Sequence, residues 1–177
     1  MVIKMKLLIV SDIHGGYEEL LKITKNEVFD KLIILGDLFS YGYSYDKENE
    51  ENIINLLEKY KNKLILLKGN CDTLVNYEIL GLNAFEIITL PFNNNLITFT
   101  HGNKYKKGFL PEYHGNIFIS GHTHVPVIEK QNDIIYANPG SISKPRNGSY
   151  KSYLIFDNNK LILKTIDKII IKEMIIN

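Results

Sequence analysis

A chain of 177 residues with a formal net charge of +1, 45% apolar and 23% charged, has the balance of one soluble globular domain spanning 1–177. So small a net charge supplies no bulk field for nucleic acid or an anionic membrane, and no apolar run approaches the roughly 18–20 residues of a membrane span. A single cysteine, Cys71, excludes an intramolecular disulfide framework and points to the reducing cytoplasm.

The first residues are lysine-flanked but too short in apolar character for a signal peptide, and Met5 is as good a start as Met1. Residues 7–10 are an aliphatic run that ends in a β-branched valine and breaks at Ser11-Asp12, which predicts a buried strand. Asp12 and His14 follow at its tip. With the chain extended through Ile13 their side chains leave the same face, which makes half of a metal site. Gly15-Gly16 turns the backbone into a helix over Tyr17–Asn26, where Leu20, Leu21 and Ile23 form one buried face.

A second buried strand over 31–35 ends in Gly36-Asp37. Residues 40–49 are polar and tyrosine-rich, the composition of a loop, and 50–60 carry Ile53, Ile54, Leu56 and Leu57 on a helical stripe. The third strand, 63–67, ends in Gly69-Asn70-Cys71-Asp72. Alternating strands and helices predict a parallel sheet with right-handed crossovers, whose ligands bind beyond the carboxyl ends of its strands.

From residue 85 the texture changes. Short strand candidates at 85–90, 96–100, 117–120, 125–129 and 134–137 are split by Asn and Gly turns. Residues 153–156 and 161–166 flank a hairpin turn at Asp157-Asn158-Asn159, and 169–176 is a strongly β-branched strand. This half predicts a mostly antiparallel second sheet packed face to face on the first.

Lined up, the chemistry-bearing positions are Asp12, His14, Asp37, Asn70, His101, His122 and His124. They stand at strand ends in HGG, GD, GN, HG and GHTH contexts, where small neighbours let the backbone turn and leave room for an ion. Oxygen and nitrogen donors without thiolate suit Mn, Fe, Co, Ni or Zn better than an all-oxygen calcium cage. Taken singly, each is an ordinary turn or cap. The pair in Gly121-His122-Thr123-His124 is stronger, because on an extended segment two histidines at i, i+2 face one side. All of them, in order, at successive strand ends outweigh the separate readings.

The blocks Asp12-x-His14, Gly36-Asp37, Gly69-Asn70-x-Asp72, His101-Gly102 and Gly121-His122-Thr123-His124 resemble the five-block pattern of the calcineurin-like metallophosphoesterases. Gly69-Asn70-Cys71-Asp72 and Asn138-Pro139-Gly140-Ser141 are similar to that family's small single-domain prokaryotic phosphodiesterase branch. The likeness runs from Leu7 to about Arg146. It implies an α/β fold, a four-layer αββα sandwich of two mixed β-sheets flanked by helices. It further implies that Asp12, His14 and His124 hold one divalent ion, that Asn70, His101 and His122 hold a second, and that Asp37 bridges. Manganese ranks first for those ions, ahead of nickel, iron, cobalt or zinc. A hydroxide between the ions would attack a phosphodiester in line. The catalytic residues so implied are Asp37, Asn70, Cys71 and His101.

Cys71 departs from the commoner histidine, which helps protonate the leaving oxygen. A general acid contributes about 10²–10⁴-fold and a thiol is a weak donor, so diesters with good leaving groups are the expected substrates, with weak phosphomonoesterase activity. The bland role for Cys71 is a small buried filler. Asp72 is expected to fix the turn or a histidine's second nitrogen. Asn138 to Ser141 is expected either to orient His122 or His124 or to be a plain turn. Tyr41, Tyr43 and Tyr45 are candidates for a pocket rim, and Lys104, Lys106 and Lys107 for attracting phosphate; exposed loops are the commoner role of both. His114 lies outside the pattern.

Two rivals stand beside the phosphodiesterase: a phosphomonoesterase or nucleotide hydrolase of the same fold, and a non-catalytic scaffold like the retromer subunit that resembles this family but has lost ligands. Here every ligand position is filled, which favours an enzyme. The partners to expect are a small phosphodiester substrate, no membrane, no stable nucleic-acid complex, and a homodimer as the one protein partner. The 169–176 strand is available to cover a sheet edge or to pair with another subunit.

Overall fold

The computed structural model describes residues 5–39, 46–73, 77–78, 81 and 83–176. Three aliphatic runs form parallel strands, β1 (Lys6–Val10), β2 (Lys31–Ile34) and β3 (Leu64–Leu67), joined through α1 (Tyr17–Asn26) and α2 (Lys47–Lys59). A short strand, β4 (Ala84–Phe85), continues the sheet beyond β3. A second sheet takes β5 (Ile87–Phe92), β6 (Asn95–Thr100), β7 (Ile117–Ser120), β8 (Val127–Gln131) and β9 (Ile134–Asn138), in the order β5-β6-β7-β9-β8. The carboxy-terminal strands β10 (Ser152–Asp157), β11 (Lys160–Thr165) and β12 (Ile170–Ile175) return to the first sheet, whose order is β12-β11-β10-β1-β2-β3-β4.

Strand alternation splits the core in two. Leu8, Val10, Leu32 and Ile34 meet Leu20 and Ile23 of α1 and Ile53, Leu56 and Leu57 of α2. On the opposite face Leu7, Ile9, Ile33 and Leu35 meet Ile97, Phe99, Ile117 and Ile119 of the second sheet. Each fully buried aliphatic side chain contributes about 1.5–3 kcal/mol, and both clusters hold the strand tips in place. The two-sheet sandwich is the fold expected, and among the described residues both α-helices flank its seven-stranded sheet.

Several details differ from expectation. The carboxy-terminal strands do not extend the second sheet, because β10 is buried along Tyr153, Leu154, Ile155 and Phe156 and is satisfied only as an interior strand, antiparallel to β1. The second sheet is less antiparallel than its strand pattern suggests: β6, β7 and β9 run parallel, which makes it mixed as the family resemblance implied. The run 85–90 is not one strand: it breaks at Glu86, leaving β4 in one sheet and β5 in the other. Helix α2 starts three residues early because the Asp46 carboxylate accepts from the Asn49 N–H at 3.1 Å and caps it. Tyr41, Tyr43 and Tyr45 lie outside the described residues.

Edge strand β12 leaves Ile170, Ile171 and Ile175 exposed. Two copies pairing antiparallel about its middle would set Lys172 against Lys172 or Glu173 against Glu173, so this edge resists self-pairing.

One buried carboxylate ties the carboxy-terminal strands to the helical layer. Glu27, just after α1, accepts from Tyr153 Oη at 2.7 Å and Lys164 Nζ at 2.9 Å and pairs with Lys6 Nζ at 3.5 Å. Burial alone would raise its pKa, but Lys164 and Tyr153 outweigh burial and hold it below the usual glutamate range. A depressed folded pKa means stability that is present above the unfolded value and lost as pH falls through the folded one. Glu27→Gln is therefore expected to cost about 1–3 kcal/mol at neutral pH by urea unfolding. The gap from the wild type should close in acid, below the ordinary glutamate pKa of 4.5.

Candidate metal centre

The loops after β1, β2, β3, β6 and β7 meet at one end of the sandwich. Asp12 N–H donates to the Gly36 carbonyl at 3.2 Å, His14 N–H to that of Asp37 at 2.9 Å and Gly15 N–H to that of Leu38 at 3.1 Å, so the first two loops run side by side. The backbone there is not extended. Asp12, His14, Asp37, His122 and His124 take φ of 52°, 42°, 53°, 65° and 60°. Left-handed non-glycine residues cost on the order of 1 kcal/mol or more each, and their concentration here is strain held by the surrounding fold. Same-face alternation through Ile13 and Thr123 is thus corrected: the side chains converge because the chain curls.

The glycines serve close approach of neighbouring loops. A Cβ on Gly69 would strike the Asp37 backbone and carboxylate, and one on Gly121 would strike Ser11 and Asp12.

Ligand atoms within 4.8 Å of one another group Asp12, His14 and His124; His14, Asp37 and Cys71; and Asp12, Asp37 and His101. Asp37 Oδ2 lies 3.6 Å from His14 Nε2 and 3.5 Å from His101 Nε2, at the seam between the first group and the last. Asn70 joins through His101, its Oδ1 3.0 Å from Nε2. His122 falls in none of these groups; its half-buried ring sits edge-on to His101 with centroids 5.1 Å apart, and its N–H donates to Asp12 Oδ2 at 2.9 Å. His114, half-buried against the Gly115 carbonyl, is likewise outside them.

The donor set fits a cation. His124 Nδ1–H donates to the Lys144 carbonyl at 2.6 Å, so its Nε2 lone pair turns toward Asp12 Oδ1 at 3.1 Å and His14 Nε2 at 3.3 Å. His101 Nδ1–H donates to the Leu35 carbonyl at 2.9 Å, which turns its Nε2 toward the oxygens of Asn70 and Asp37. Asp12 Oδ1 is fully buried and lacks a hydrogen-bond partner. Acceptors facing acceptors, with their second nitrogens held by carbonyls, are the arrangement a divalent ion resolves.

The charged groups of the cluster shift one another. Burial would raise Asp12, but His124, His101 and Ser11 hold it low. Burial would lower His124, but Asp12 raises it, whereas burial wins at His14 and at His122. The Cys71 thiol, half-buried rather than a buried filler, is pushed up to about 12 by burial and then by Asp37.

A supporting layer braces these loops, and of its members only Tyr77 is without a mark in the sequence. Asp72 accepts from the N–H groups of Asp37 at 2.7 Å, Leu38 at 2.9 Å and Gly69 at 2.9 Å, and from the Tyr77 hydroxyl. Of the two roles expected for Asp72, this is the turn. Ser141 Oγ donates to the Asp12 carbonyl at 2.6 Å, and Asn138 Nδ2 to the Gly121 carbonyl at 2.7 Å, so the 138–141 loop braces the loop that carries both histidines. Lys104 and Lys107 are engaged by Glu86 at 2.6 Å and Glu129 at 2.7 Å. Asp72→Ala leaves the buried N–H groups of Asp37 and Leu38 short of an acceptor and Gly69 N–H with only the Tyr77 hydroxyl at 3.3 Å. It is expected to cost about 3 kcal/mol or more by urea unfolding and to weaken divalent-ion affinity about 10–100-fold by titration.

Comparison with known proteins decides the family. Residues 5–160 match the calcineurin-like phosphoesterase superfamily domain. The chain belongs to this family. As a phosphoesterase it is 33% identical to phosphodiesterase YfcE of Escherichia coli K12, over 98% of this chain and 99% of that protein. The solved structure of YfcE, described as a phosphoesterase from E. coli, superposes with a TM-score of 0.88 at 31% identity, covering 98% of this chain and 100% of that one. Vps29 of Entamoeba histolytica, solved with zinc, shares the fold at a TM-score of 0.65 and 16% identity, over 98% and 100% of the two chains. Among the described residues, no helix is long and apolar enough to cross a membrane.

Proposed function

We propose that this phosphoesterase is a phosphodiesterase, a single domain that works in the cytoplasm with two divalent transition-metal ions, manganese first among them. The observation that carries this is Asp37 Oδ2, placed between His14 Nε2 at 3.6 Å and His101 Nε2 at 3.5 Å, which makes two half-sites contiguous. Asp12, His14 and His124 would hold one ion, Asn70, His101 and His122 the other, and Asp37 both. When bound, such ions supply a water acidic enough to attack near neutral pH and positive charge against the phosphoryl oxygens.

The chain's own groups do the rest. The Lys144 and Leu35 carbonyls hold His124 and His101 in the tautomer that presents Nε2. The Asn70 amide, on the exposed rim beside Cys71, has N–H groups to offer a phosphate oxygen. Cys71 offers a thiol at that rim position, and a thiol assists a departing alkoxide poorly. A diester with an acidic leaving group needs that assistance least. The same argument counts against the phosphomonoesterase, and the filled ligand set counts against the scaffold.

The test is hydrolysis of bis(p-nitrophenyl) phosphate and p-nitrophenyl phosphate by metal-stripped protein with Mn²⁺, Ni²⁺ or Zn²⁺ added back. Metal-dependent cleavage, faster on the diester by about tenfold or more, supports the proposal. No turnover with any ion in folded protein favours the scaffold, and equal or faster monoester cleavage favours the phosphomonoesterase.

A further inference from the structure

The two clefts flanking the metal centre differ in charge. On the Asn70 side, a cleft of about 310 Å³ is lined by Lys68, Asn70, Asp72, Glu86 and Lys104 among others, two cations against two carboxylates, with Lys104 paired to Glu86 at 2.6 Å. On the His14 and His124 side, a cleft of about 270 Å³ is lined, among the described residues, by those two with Lys144, Pro145 and Arg146 and by no carboxylate. Among the described residues neither Lys144 nor Arg146 enters an ion pair, whereas Lys104, Lys107 and Lys151 all do.

The residue type is as telling as the place. Arg146 is the only arginine in a chain with 21 lysines and arginines. A guanidinium offers a planar fork of donors that matches phosphate in two parallel hydrogen bonds, which an ammonium cannot do.

The backbone beneath both cations is tied down. Arg146 N–H donates to the His124 carbonyl at 3.3 Å, and its own carbonyl accepts from Ser149 N–H at 3.0 Å and Oγ–H at 2.7 Å. Lys144 N–H donates to Ser141 Oγ at 2.8 Å, while its carbonyl accepts from His124 at 2.6 Å. Pro145 between them has its φ locked. Two unpaired cations thus stand on an anchored arm whose main chain also orients a candidate ligand.

We propose that Lys144 and Arg146 form an anion-recognition arm, and that the substrate is a phosphodiester carrying a second phosphate on the ester arm that enters their cleft. This rests on the phosphodiesterase reading above. It names the substrate class: of the two groups esterified to the reacting phosphorus, one is itself phosphorylated. The opposite, charge-balanced cleft accepts the uncharged arm.

The experiment compares thymidine 5′-(p-nitrophenyl phosphate) with the same diester bearing a 3′-phosphate, since reacting bond and leaving group are identical. The wild type is expected to show a KM about tenfold lower for the 3′-phosphorylated diester. In Arg146→Gln/Lys144→Gln the two KM values should come together. A wild-type KM ratio near one, or a ratio that survives in the double variant, overturns the proposal.

Calorimetric binding of thymidine 3′,5′-bisphosphate against thymidine 5′-monophosphate separates this inference from the reading it rests on. If neither diester turns over but the bisphosphate binds about tenfold tighter to wild type only, the arm stands and the phosphodiesterase falls. Equal binding of the two nucleotides overturns the arm whatever the turnover.

Discussion

Asp37→Ala is expected to lower diester turnover by about 10³-fold or more and to reduce bound divalent metal to one ion per chain or fewer. The carboxylate is almost completely buried, with Oδ2 facing His14 and His101 and Oδ1 accepting from the Cys71 N–H at 2.8 Å. In the proposed two-ion centre its loss would remove the ligand that both half-sites share, and would free the turn that carries Asn70. Alanine also changes packing, so Asp37→Asn is the companion variant: it keeps the shape and an oxygen for Cys71 but removes the charge. Turnover and metal content should fall in both, with unfolding temperature preserved in the amide. Asp37→Asn with wild-type turnover and two ions would show that the shared carboxylate is dispensable.

Cys71→His is expected to raise the ratio of monoester to diester turnover about 10²-fold. The side chain is half-buried, with Sγ 3.3 Å from Asn70 Nδ2 and within 4.8 Å of ligand atoms of Asp37 and His14. An imidazolium there is a general acid in a place where the wild type has a weak donor. The pH profile carries the sign. An acid must hold its proton to act, so the added monoester activity should fade as pH rises through the histidine range, near 6.5. Cys71→Ser, which supplies no comparable acid, should leave the ratio unchanged. A folded Cys71→His protein with the wild-type ratio would remove leaving-group protonation from the account of substrate preference.

Much of this was legible in the residues. Leu7 to Val10, Leu32 to Leu35 and Leu64 to Leu67 are uninterrupted aliphatic runs, and strands buried on both faces need no other signal. Each is followed by polar residues close to a glycine, the mark of the candidate centre in the sequence.

What stayed hidden is non-local. Tyr153 to Phe156 reads as a buried strand, but whether it joins β1 or the second sheet depends on an edge more than a hundred residues away in sequence. The curl at Asp12 and His14 depends on carbonyls of Gly36 and Asp37. Tyr77 has no motif, and the carbonyls of Leu35 and Lys144 belong to backbone that every residue possesses. Arg146 did leave a mark, as the single arginine of the chain, but only the folded loop puts it beside His14 and His124.

Diffraction at the manganese absorption edge, from crystals of metal-stripped protein reloaded with Mn²⁺, tests the central claim most directly. The account predicts two anomalous peaks per chain, one against Asp12, His14 and His124, the other against Asn70, His101 and His122, both touching Asp37. A single peak, or two that do not share Asp37, would contradict it.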